Sequence, residues 1–117
     1  MIENIILQYL SEILNVPVSL ETPKEDYEQY VVFEIVDRQR ENFIDAVTVE
    51  FNSYADSKYN AALLDKSVRK TIEKMISLPE VNSVEIGGGR NSGDNLDSEL
   101  KKYRFRCYFN IYFYEED

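Results

Sequence analysis

The chain has no histidine and no tryptophan, a single cysteine, and four glycines that all fall between positions 87 and 93. Each shortage removes a class of chemistry. Histidine is the side chain whose ordinary pKa lies near neutrality, so it carries most proton shuttling and much metal ligation. Without it no Ser/His/Asp or Cys/His triad can be built, and most zinc sites are ruled out. Cys107 has no second cysteine for an internal disulfide and no activating base, which favours a reducing, cytoplasmic origin. No apolar run approaches the length of a membrane span. Met1-Ile2-Glu3-Asn4 offers neither the basic start nor the small-residue cleavage site of a secretory leader. The expectation is a non-enzymatic protein without cofactor, metal or membrane partner.

What remains is acidic and aromatic. A chain of 117 residues fits one domain with one core. It holds nine Tyr and six Phe, and 22 acidic against 13 basic residues give a net charge of −9. Such a surface repels phosphate backbones, so tight non-specific DNA binding is disfavoured. It suits a basic partner, or a passage through which DNA slides without sticking.

Periodicity divides the chain into seven segments. Ile2, Ile5, Ile6, Tyr9, Leu10, Ile13 and Leu14 form one stripe of a helix over 2–14, ended by Asn15 and Pro17. Val16–Leu20 reads as a short edge strand because Pro17 tolerates only an edge, and 21–29 as a polar loop. Tyr30–Val36 and Phe43–Tyr54 read as strands joined by a solvated hairpin tip, 37–42. Asp56 or Ser57 can cap a second helix, whose stripe is Ala61, Leu64, Val68, Ile72, Met75 and Ile76 up to Pro79. Val84–Ile86 is a short strand and 87–99 a glycine-containing loop. Tyr103–Tyr114 is a strand with Phe105, Cys107, Phe109, Ile111 and Phe113 on one face. The order α-β-β-β-α-β-β predicts an α+β fold: one mainly antiparallel or mixed sheet of four to five strands, with both helices on one face.

No segment carries a chemical motif that outweighs a plain structural explanation. Gly87–Gly93 fits neither the dinucleotide fingerprint nor the phosphate-binding loop. Asp94, Asp97 and Glu99 lack the spacing of a calcium loop. Glu25 with Asp26, and Glu115 with Glu116 and Asp117, read as solvated charge, and Cys107 as core. The sheet face away from the helices is more informative. It carries Tyr30, Val32, Tyr108, Tyr112 and Tyr114, and Tyr and Arg are enriched at interface centres. With Arg38 and Arg40 these residues form the candidate subunit contact, unless the 21–29 loop covers them. Gly87, Gly88, Gly89, Arg90, Asn91 and Asp94 form a candidate loop that orders on assembly.

These pieces together resemble a known group. A short helix ends in Leu14-Asn15-Val16-Pro17-Val18, and Tyr30-Val31-Val32-Phe33-Glu34 follows a Pro-containing loop. Glu41-Asn42 closes a polar tip. Ser53-Tyr54-Ala55-Asp56-Ser57 leads into Ala61-Ala62-Leu63-Leu64 and Val68-Arg69-Lys70, and Asn91 and Asp94 precede Tyr103-Arg104-Phe105-Arg106. Over almost its whole length the chain resembles the tail terminator (tail completion) proteins of long-tailed phages and related prophage proteins of Gram-positive bacteria. The extra glycines at 87–89 depart from that pattern. The resemblance implies a ring of six copies that caps the tail tube, ends its polymerisation and offers a surface to the head connector, with DNA only passing through. It implies location in the host bacterial cytoplasm before assembly and in the virion tail afterwards. Two other readings compete: a neighbouring head–tail joining protein, and a small acidic regulatory domain that binds a basic protein.

Overall fold

The computed structural model describes residues 2–41, 43–87, 92–97 and 102–114. The first helix, α1 (Ile2–Ile13), buries Ile2, Ile6 and Leu10, one residue per turn at four-residue spacing. Strand β1 (Val18–Ser19) lies parallel to β2 (Gln29–Glu41), with Val18 opposite Val31. Pro17, just before β1, accepts at its carbonyl from the Val31 amide at 2.9 Å and has no amide of its own to waste at this edge. Strand β3 (Ile44–Ala55) returns antiparallel to β2, and α2 (Lys58–Glu73) follows. The Ser57 hydroxyl caps α2 by accepting from the Asn60 amide at 3.1 Å. A 3-10 turn, Lys74–Ser77, leads to β4 (Val81–Ile86), β5 (Ser92–Asp97) and β6 (Lys102–Tyr114).

The sheet runs β1-β2-β3-β6-β4, mixed only through β1, and β5 pairs with the half of β6 that β4 leaves open. The fold is therefore α+β, with one sheet. Its core lies between the two helices and one sheet face: Val31 and Phe33, Val47, Val49 and Phe51, then Cys107, Phe109 and Ile111. Phe51 sits between two rings, 5.9 Å from Phe33 and 6.3 Å edge-on from Phe109. Each such ring, fully withdrawn from water, contributes roughly 2–3 kcal/mol. On β6 the expected alternation is observed, with Cys107, Phe109, Ile111 and Phe113 buried on the helix side. Among the described residues, no helix is long and apolar enough to cross a membrane.

Five expectations need correction. The run 37–42 is not a tip: β2 continues to Glu41, and only positions 42 and 43 connect it to Ile44. Phe43, expected to open the second strand, belongs to that connection. The run 87–99 is not wholly a loop, because 92–97 pair with β6 from Ser92 opposite Arg106 to Asp97 opposite Lys102. An open strand edge supplies backbone partners whatever the side chains, and this overrides a polar composition. Ile76 leaves the buried stripe and is half exposed while Met75 is buried, because tightening to 3-10 geometry rotates the last turn. Ile13, at the end of α1, is also half exposed.

Candidate assembly surface

The helices cover one face of the sheet and leave the other without a helical layer. On this bare face Glu34, Glu50 and Tyr108 stand in register on β2, β3 and β6, with Asp37, Thr48, Asn110 and Glu85 in the next row. The centre is bound together by hydrogen bonds. Tyr108 donates its hydroxyl to Glu50 Oε2 at 2.7 Å, and Asn52 Nδ2 donates to Glu50 Oε1 at 2.9 Å. Arg106 Nε lies 3.9 Å from the same carboxylate and 3.4 Å from Asn52 Oδ1. Farther along, Thr48 donates to Asn110 Oδ1 and Tyr112 to Glu85 Oε1, both at 2.7 Å.

These partners fix the charge states. Partial burial pushes the Glu50 carboxyl up, but the Asn52 and Tyr108 hydrogen bonds and the charges of Arg106 and Arg104 outweigh it. Its pKa falls below the ordinary 4.5. The hydrogen bond to Glu50 raises the Tyr108 phenol, and that to Glu85 raises Tyr112. Glu50 stays ionised and the two tyrosines stay protonated, so the surface presents fixed donors and acceptors to whatever meets it.

One end of this face is closed. Tyr30 is only 3% exposed and stacks on Tyr54 at 4.7 Å, so it is withdrawn from any open contact surface. Lys102, 4% exposed, pairs with Asp56 and reaches Asp26 of the 21–29 segment at 3.3 Å. Burial depresses the ammonium, yet the two carboxylates prevail and its pKa ends above the ordinary value. The 21–29 segment thus meets this end of the face through Asp26. Val32, Tyr108 and Tyr112 are part-buried, and Tyr114 is half exposed, its hydroxyl oxygen accepting from Asn82 Nδ2 at 2.9 Å.

Arg38 and Arg40 are not on this face. A bulge between Ile35 and Asp37 inserts Val36, so the alternation of β2 inverts beyond it. Arg38 then stands opposite Val47 on the helix side, paired with Glu3 of α1, and Arg40 stands opposite Asp45. Of the candidate assembly loop, Gly88, Gly89, Arg90 and Asn91 lie outside the described residues, and Asp94 falls within β5. Gly87 has a packing role. A Cβ there would sit 3.1 Å from the carbonyl carbon and Cβ of Tyr108, a tight approach that glycine avoids while its amide donates to the Tyr108 carbonyl at 2.9 Å.

Beneath α2 lies a polar group that charge patterning missed. Asp65 is buried and pairs with Arg69 at 2.7 Å, four residues on. It also faces Cys107, whose thiol burial and the Asp65 charge together push up to about 12. The thiol stays protonated and unreactive. The i, i+4 spacing of Asp65 and Arg69 was its one sign in the sequence. Phe43 was likewise missed. Its φ is +68°, a region costing a non-glycine residue roughly 1–2 kcal/mol, and its ring is 79% exposed. The short Asn42-Phe43 step between two strands was the available signal. Among the described residues no group of three or more Cys, Asp or Glu is placed to hold a metal.

No protein-family model matches the chain, and no curated protein matches it in sequence.

Proposed function

We propose that this protein is a structural virion component of the tail terminator kind, forming a ring that caps the tail tube and receives the head connector. The observation that carries the reading is the bare sheet face, whose hydrogen-bonded centre of Glu50, Asn52, Arg106 and Tyr108 is preorganised for contact. Unlike strand edges flank it. Beyond Val32, β2 has no neighbour on its outer side among the described residues, nor has β4 on its own. Two unlike edges on opposite sides favour a head-to-tail contact, which makes a ring when its rotation closes. The resemblance of the sequence to tail terminator proteins supplies the rest: six copies, the tube and connector proteins as partners, and passage of DNA without specific binding. Each contact would bury on the order of 1,000 Å² or more.

Size-exclusion chromatography with light scattering, on the protein alone and mixed with tail-tube protein, tests this. A hexamer under either condition is the expected result. A strict monomer that ignores the tube protein and binds a basic host protein would replace the reading with a regulatory one.

A further inference from the structure

Phe43 is anomalous in a way the bare sheet face does not explain. It occupies the second position of a two-residue hairpin connection, between paired Glu41 and Ile44, where a positive φ favours glycine. The residue is 79% exposed, so contact among the described residues does little to offset the strained backbone. The arm that carries it is exposed on β2 from Val36 to Arg40. A bulky apolar side chain is thus held out at one end of a molecule 44 Å long.

The other end holds a matching depression. Gln29, opposite Ala55, begins the β2–β3 pairing that ends at Glu41 and Ile44, and twelve steps of strand separate these ends by roughly 40 Å. At the Gln29 end a groove of about 470 Å³ opens between the close of α1 and the flank of α2, its apolar wall formed by Ile13, Leu14, Val16, Leu63 and Leu64. Ile13 is 50% and Leu63 45% exposed, so apolar surface lies open there too. Charge favours the match. The arm from Val36 to Asp45 has three acidic and two basic residues. The helix beside the groove, Lys58–Glu73, has four basic and two acidic residues in a chain of net charge −9, and Lys70 lines the groove itself.

We propose that Phe43 of one copy seats in the Ile13/Leu63 groove of the next copy. Knob and groove lie on different surfaces, so the contact is heterologous and each copy offers one of each. The inference rests on the ring reading above and names an anchor for it. Phe43 would be the buried aromatic centre of the contact, with acidic arm and basic helix as its rim.

Two variants and their mixture test this by sedimentation velocity, with thermal melts to check folding. F43G relieves the backbone strain, so its monomer should melt no lower than the wild type while its association weakens at least about tenfold. L63K, at an already half-exposed position, should fold and likewise fail to assemble. Mixed one to one, at concentrations well above those at which the wild type assembles, the two should form dimers that grow no further. Each mixed pair retains one intact knob and one intact groove. Wild-type assembly by F43G, or a mixture that stays monomeric, overturns the anchor while leaving a ring built on other surfaces in place. A wild type that is monomeric at every concentration, with and without tube protein, overturns both.

Discussion

On the helix side of the sheet, Phe33, Phe51 and Phe109 touch ring to ring. One residue away on the same strands, Glu34, Glu50 and Tyr108 face outward. Identical backbone pairing supports both rows, so the contrast is one of side chains and cover. The helix side derives its stability from non-directional burial, which punishes any lost volume. The bare side is held by directional bonds among groups that water still reaches, and each is worth little to folding because water competes for it. A surface of that kind can change its partners without unfolding the molecule.

The largest test of this contrast is Phe51→Ala, which removes the central ring and should lower stability by about 3–5 kcal/mol, read as a shifted urea midpoint. Next is the alkaline limb. The Cys107 thiol, raised from 9.0 to about 12, stabilises the fold fully below pH 9.0, and that contribution is lost as pH rises toward 12. Cys107→Ala should therefore lose stability less steeply than the wild type over that window, whatever the cost of the cavity it leaves. On the bare side Tyr112→Glu should change stability in urea by less than about 1 kcal/mol, yet reduce assembly in light scattering. Unchanged assembly would remove that tyrosine from the contact. The smallest effect belongs to Glu50→Gln. The Glu50 pKa is lowered, so its contribution is present above the ordinary 4.5 and is lost as pH falls through the folded value. Glu50→Gln should show a shallower acid limb in thermal melts, and a shallower alkaline limb too, because the Tyr108 phenol loses the carboxylate that raises it.

The covered face was legible because its signals are local. Ile2, Ile6 and Leu10 repeat at helical spacing, and Val47, Val49 and Phe51 alternate, so neither pattern needs knowledge of the partner. The site was less legible because tertiary pairing decides it. Nothing in Tyr30–Glu41 marks Val36 as an extra residue, yet that bulge moves Arg38 and Arg40 to the opposite face. The polar run 92–97 became a strand only because half of β6 stood open beside it. Tyr30 lies on the aromatic face, but it is buried and stacks on Tyr54, a closure that no local pattern announces.

Strand β6 lies between β3 and β4 in space although it follows both in the sequence. On the ribosome, at about 5–20 residues per second, several seconds separate the completion of Ala55 from the arrival of Lys102 and its strand. Throughout that interval the edge of β3 that β6 later covers, twelve residues long, stays unmatched on the newborn polypeptide. A neighbouring nascent copy that paired with this edge first would give a swapped sheet, a hazard set by the order in which the strands emerge.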